Sequence, residues 1–190
     1  TAWNSTGYHS ADEHYQIIAF AQARLGELPH EHLPWEYEAG IRSSLQPWIA
    51  AGVFKAAAFL GTADPFVRTF LLRLLTALLA LIAVRGFVQA TMEQVPTPLR
   101  KPFLLLSYFL WFLPFLHVRF SSEGWSGIFL LLSLTAILRS MGSHRQWMKA
   151  GLFGGIAILC RPPVGLILIG LLAWSISRGK SGWRNILLFA

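Results

Sequence analysis

The sequence has little charge, and little of it is acidic. Only 13% of the 190 residues are charged, with nine acidic side chains against sixteen basic ones, whereas soluble domains have about 25% charged residues. Hydrophobic residues make up 54% of the chain, and the mean hydropathy is +0.50. Because a small globule keeps a large exposed surface, this composition excludes an ordinary soluble domain and predicts a membrane protein.

Three further absences restrict the possible functions. A single cysteine, Cys160, excludes an internal disulfide and a cysteine-built zinc site. Despite the net charge of +7, no run of five Lys or Arg occurs, and the basic residues lie between apolar segments. We therefore expect no nucleic-acid partner. The histidines at positions 9, 14, 30 and 32 do not form a pair four residues apart, so we expect no metal site.

The chain divides into a polar first part and an apolar remainder. Residues 1–46 contain six acidic and two basic residues, and they form the first predicted domain, a partly helical loop. The second, 47–190, is a predicted multi-span transmembrane domain, and its apolar segments are 47–61, 65–88, 102–118, 124–138, 150–160 and 164–176. Several are shorter than the ~20 residues of a full span, which favours half-helices. The expected fold is all-α and polytopic, and we interpret the chain as a fragment incomplete at both ends.

Basic residues in the connecting loops predict the topology. The loops at 90–102, 139–149 and 178–184 carry arginines and lysines and should be cytoplasmic by the positive-inside tendency. The alternation of segments then places the acidic first part, 117–124 and 160–163 on the opposite side. Polar residues from distant parts of the chain would therefore share one compartment.

Four polar groups interrupt the apolar pattern. Asp12 and Glu13 either cap a helix or provide a general base for an attacking hydroxyl. The run "PWEYEAGIRS" (34–43) offers aromatic faces and an arginine to a sugar or phosphate, or forms an interfacial belt. The run "HVRFSSE" (117–123) is a plain polar turn or a ligand contact. In "CRPP" (160–163) Arg161 lies between two short apolar segments, where a charge is costly and points to function.

The order and spacing of these groups resemble one family. The runs "ADEHYQ", "LPWEYEAGIRSSLQP", "RFSSEGW" and "CRPPVGLIL" are similar to the motifs of glycosyltransferase family 22. These lipid-linked-sugar mannosyltransferases have the GT-C membrane fold, assemble N-glycans and GPI anchors, and have bacterial relatives. Members show H-P-D-E-x-x-Q, T-W-E-[WY]-x-x-G-[IL]-R-S, R-T-x-[ST]-N-x-x-E and R-P-T.

The resemblance assigns roles to eight residues of this chain. It implies that Asp12 and Glu13 are catalytic, with Asp12 as the base. The residues implied to contact substrate are Trp35, Glu36, Arg42, Arg119, Glu123 and Arg161. The chain departs from the family where Ser10 and Ala11 replace His-Pro, where Ser122 falls near the usual Asn, and where Pro163 replaces Thr.

The resemblance also implies a reaction. Mannose would pass from a polyprenyl (dolichyl) phosphate to a glycan or glycolipid hydroxyl with inversion, and an arginine would stabilise the leaving phosphate. Neither a metal nor a cofactor is implied, and the partners are the two substrates and membrane lipid. The site would face the non-cytoplasmic side of the endoplasmic reticulum or of a bacterial inner membrane. The alternatives are a GT-C enzyme for another lipid-phosphate-linked sugar and a non-catalytic membrane transporter.

Overall fold

Helices form all the regular structure in the described part of the chain. The computed structural model describes residues 13–140 and 143–177, with side chains from residue 15 onward. The helices are α1 (Ala19–Arg24), α2 (Trp35–Glu38), α3 (Leu45–Phe59), α4 (Pro65–Thr91), α5 (Arg100–Phe109), α6 (Leu113–Leu116), α7 (Ser122–Leu138), α8 (His144–Cys160) and α9 (Val164–Ser177). The all-α prediction is confirmed. The division into a catalytic loop and a transmembrane domain stays a prediction.

The first described segment is a helix that packs into the core. A π-helical turn, Glu13–Ile18, leads directly into α1. Gly26, with a φ of +74°, follows the helix, and this left-handed conformation is one that glycine adopts without steric cost. The predicted loop after it contains a 3₁₀ turn, His30–His32, and the short helix α2.

Helix α4 is the one described helix long and apolar enough to cross a membrane. With the 3₁₀ turn Met92–Gln94 it forms a continuous helical stretch of 30 residues. Its start is well defined, because the Asp64 carboxylate accepts a hydrogen bond of 2.8 Å from the Phe66 backbone N–H and Pro65 occupies the first turn. Helices α7 and α9 are apolar but shorter.

The apolar segment 102–118 contains a break in the middle of its helix, in line with the half-helices expected from the sequence. α5 ends at Phe109, Leu110 is extended with a ψ of 128°, and α6 resumes at Leu113. Pro114 explains the break, since proline has no N–H to donate to the Leu110 carbonyl and its ring would clash with that carbonyl in a continuous helix. Leu113 and Leu116 of α6 line the cleft described below.

Helices α7 and α8 pack closely as an antiparallel pair. Hydroxyl groups of α7 donate to backbone carbonyls of α8, Ser126 to Ala157 at 3.0 Å and Ser133 to Ala150 at 2.8 Å. These contacts place the start of α7 beside the end of α8. At the opposite end Arg139 donates to the Gly86 carbonyl at 2.9 Å, which joins the C-terminal ends of α7 and α4. Residues at the start of α7 and the end of α8 therefore share one end of the bundle.

Candidate functional site

The central contact of the site joins two predicted motifs. Arg161, directly after α8, forms an ion pair with Glu123 in the first turn of α7. The Ser122 hydroxyl lies 3.3 Å from the other Glu123 oxygen and donates to it. The Ser121 side chain caps the helix by accepting from the Gly124 backbone N–H at 3.1 Å. Both partners are partly exposed, so a ligand can reach this pair from solvent.

Arg119, in the same motif as Glu123, is buried. The residue is 4% exposed, and its guanidinium carbon stacks over the Phe115 ring at 4.4 Å from the centroid. Next to it in sequence, Phe120 is buried in edge-to-face contact with Trp125 at 4.9 Å. Cation–π stacking is an arrangement that stabilises a desolvated arginine. The third motif therefore has a buried basic residue, Arg119, and an exposed acidic residue, Glu123.

The second motif is tied to the third by a buried hydrogen bond. The Gln46 amide, at the start of α3, donates to the Ser121 carbonyl at 3.3 Å. Just before α3, Arg42 and Glu36 form a partly buried ion pair at 2.7 Å. Trp35 is 69% exposed at the start of α2. Its ring is available to stack on a sugar or to lie against lipid.

The predicted catalytic pair falls at the edge of the described structure. Asp12 and the Glu13 side chain lie outside the described residues, and their roles stay predictions. The backbone of Glu13 begins the π-helical turn whose end is buried, with Ile17 4% and Ile18 6% exposed. The burial of Ile17 and Ile18 therefore anchors the end of this turn in the core.

One hydrophobic cluster holds the sequence neighbours of three motifs together. Ile17, four residues after Glu13, packs in the same cluster as Phe120, next to Arg119, and Cys160, next to Arg161. Ala50 and Phe54 of α3 and Leu72 of α4 complete the contact with the second motif and the long helix. Burial in a shared core restrains the relative positions of the polar residues at its edge.

A cleft of about 410 Å³ opens between α4, α6 and α7, and its lining residues Ala80, Ala83 and Ile128 form a separate hydrophobic cluster. Its polar lining lies near the start of α7, and the rest of its wall is apolar. The lining residues are Ala80, Ala83, Val84, Leu113, Leu116, His117, Ser121, Glu123, Gly124, Gly127, Ile128 and Leu131. Burial lowers the pKa of His117 below its ordinary value of 6.5, because desolvation disfavours the charged imidazolium.

Several residues of the site are not predicted by the sequence patterns. Gln46 and His117 resemble ordinary polar interruptions of an apolar run. The Gln46 contact depends on Ser121, 75 residues away, and His117 lines the cleft together with Ala80, Ala83 and Val84 of α4. Arg68 has a partner that the sequence does not indicate, because both its terminal nitrogens donate to the Glu27 carboxylate, at 2.7 and 3.0 Å. Among the described residues, no three His, Cys, Asp or Glu side chains lie close enough together to hold a metal ion.

The chain belongs to the Alg9-like mannosyltransferase family, whose model matches residues 1–190. The prediction of glycosyltransferase family 22 is thereby confirmed. The family description, together with the long apolar helix, fits the predicted GT-C membrane fold.

A yeast protein provides a more specific comparison. GPI mannosyltransferase 3 of Yarrowia lipolytica (strain CLIB 122 / E 150) is 33% identical to this chain over 121 residues, which is 62% of this chain and 23% of the relative. The matched stretch thus spans about a quarter of the relative's length. No solved structure matches the chain.

Proposed function

We propose that the protein of which this chain forms part transfers mannose from a polyprenyl (dolichyl) phosphate to a glycan or glycolipid hydroxyl. Family membership and the GPI mannosyltransferase relative support the mannosyl group and the class of acceptor. The single observation that carries the site assignment is the Glu123–Arg161 ion pair, which joins motifs 38 residues apart in sequence beside the buried Arg119.

The arginines of this site suit a leaving phosphate. Arg161 engages Glu123 through Nη2, and among the described atoms none accepts a hydrogen bond from its buried Nε. The buried Arg42 Nε likewise has no acceptor among the described atoms, although the Arg42 Nη2 pairs with Glu36. Since phosphate oxygens accept readily from guanidinium groups, a substrate phosphate is a suitable acceptor for these donors.

The reaction requires a proton acceptor opposite the leaving group. In the proposed mechanism Asp12 removes the proton from the acceptor hydroxyl while the oxygen attacks the anomeric carbon, and the phosphate leaves from the opposite face. That geometry inverts the configuration at the anomeric carbon. Arginine charge stabilises the phosphate as the bond to the sugar breaks. The site would face the non-cytoplasmic side of the membrane, since the positive-inside tendency assigns the basic loops to the cytoplasm.

The test is a transfer assay with the full-length protein in membranes or detergent. Purified enzyme would receive polyprenyl-phosphate mannose, or the corresponding glucose and arabinose donors, with a panel of glycolipid acceptors. We expect transfer of mannose alone, with an α-linked product from a β-linked donor. Efficient use of another sugar would favour the alternative GT-C activity, and no transfer from any lipid-phosphate donor would contradict the proposal.

A further inference from the structure

We infer that the cleft between α4, α6 and α7 binds the isoprenoid chain of the lipid-phosphate donor next to its phosphate. This inference rests on the proposed function, and it assigns a place to a part of the substrate that the motifs do not address. Three features of the cleft support this inference: its residue composition, its polar end, and its depth along the helices.

Small residues create the space. Ala80 and Ala83 on α4 face Gly124 and Gly127 on α7, and a methyl group built on Gly127 would meet no atom within 4 Å. The remaining apolar lining from α4 and α7 is Val84, Ile128 and Leu131. Since the walls in this region are almost wholly apolar, an apolar chain is the ligand with the lowest desolvation cost on entering the cleft.

The polar end of the cleft matches a phosphate head. Glu123 lines the cleft and pairs with Arg161, which lies beside it. His117 and Ser121 complete the polar lining. A phosphate that approaches Arg161 would compete with the Glu123 carboxylate for the guanidinium, and a chain attached to that phosphate would extend directly into the apolar part.

The cleft runs along the helices. From Glu123 to Leu131 the lining descends eight residues of α7, or about 12 Å at about 1.5 Å per residue. The stretch of α4 from Ala80 to Val84, which runs parallel to α7, forms the facing wall. A slot of this depth and of about 410 Å³ suits one chain, which favours the single-chain donor over an acceptor with a diacylglycerol anchor.

The test compares two glycine substitutions in the full-length enzyme. Gly127→Leu places a side chain in the cleft, whereas Gly155→Leu places the same side chain on α8, where a Cβ also has open space and which does not line the cleft. Each variant would be assayed with a long polyprenyl-phosphate mannose and with a donor of one isoprene unit.

We expect Gly127→Leu to raise KM for the long donor by about tenfold, the equivalent of about two methylene groups excluded from burial. KM for the short donor, and both KM values of Gly155→Leu, should match wild type. An equal effect of Gly127→Leu on both donors, or an effect that follows the acceptor's chain length instead, would overturn the inference. Failure of wild type to use any polyprenyl donor would instead contradict the proposed function.

A second measurement uses the wild-type enzyme and does not depend on a variant that folds. A polyprenyl phosphate with a photoreactive group in its first isoprene units would be crosslinked, and the labelled peptides identified by mass spectrometry. Labels within 113–131 or 80–84 support the inference. Labels confined to other segments overturn it, as they would if the remainder of a longer chain fills the cleft.

Discussion

Glu123 and Arg161 form an ion pair that connects the first turn of α7 to the residue after α8. Their neighbours Trp125 and Cys160 are buried in one hydrophobic cluster. The helices thus hold both charges at one end of the bundle, next to the cleft. If Arg161 binds the donor phosphate as proposed, the phosphate would replace the Glu123 carboxylate as its partner.

Arg161 is therefore the first residue to test. We expect Arg161→Ala to raise KM for the lipid-phosphate donor by about 10- to 100-fold, because a hydrogen bond to a charged group contributes about 1.5–3 kcal/mol. Arg161→Lys should recover part of the loss, since lysine keeps the charge without the planar pair of donors. Steady-state kinetics at varied donor concentration would measure this. An unchanged donor KM in the alanine variant would remove Arg161 from the phosphate site.

Asp12 and Glu13 are distinguished by a matched pair of substitutions. If Asp12 is the base, Asp12→Asn should lower kcat by about 10²–10⁴-fold with little change in donor KM. Glu13→Gln removes an equal charge from the adjacent residue and should have a much smaller effect, because the proposed mechanism assigns the proton transfer to Asp12. Single-turnover rates of variants that are expressed at the wild-type level would measure the difference. Equal losses in both variants would contradict the assignment of Asp12 alone.

Features of the site that depend on residues close in sequence could be predicted from the sequence, whereas contacts between distant segments could not. The helix over residues 13–24 and the helix starts at Pro65 and Ser122 follow from local patterns, since caps and apolar periodicity act within a few residues. The break at Leu110 is also local, and Pro114 indicates it. The motif order correctly predicts the family, and the topology argument places the motifs at one end.

The contacts that assemble the site are not local, and for that reason the sequence does not reveal them. Gln46 donates to Ser121 across 75 residues, and nothing near either residue indicates the partner. The cleft arises because small residues of α4 and α7 face each other, which depends on helix rotation and depth. Alanine and glycine are common in apolar helices, so their presence alone does not indicate a cavity.

The Arg68–Glu27 ion pair should stabilise the first part of the chain against α4. The Arg68 side chain is 11% exposed and its guanidinium carbon lies 5.1 Å from the Phe54 ring centroid, whereas the Glu27 side chain is 36% exposed, so the ion pair is only partly shielded from water. A double-mutant cycle with Arg68→Ala and Glu27→Ala should give a coupling energy of about 0.5–3 kcal/mol. Thermal unfolding of the detergent-solubilised protein would measure it. Arg85→Ala, at an exposed position of the same helix, is the control for the loss of an arginine from α4. A coupling energy near zero between Arg68 and Glu27 would contradict a stabilising role for the pair.

His117 should make stability depend on pH. Burial lowers its pKa in the folded protein below 6.5, so the unfolded chain binds a proton at a higher pH than the folded one does. Stability should therefore fall as pH drops from about 6.5 through the lowered pKa, and should be fully present above that range. His117→Gln should flatten the dependence of Tm on pH between about 5 and 7. Equal slopes in wild type and His117→Gln would show that His117 is not the source of the pH dependence.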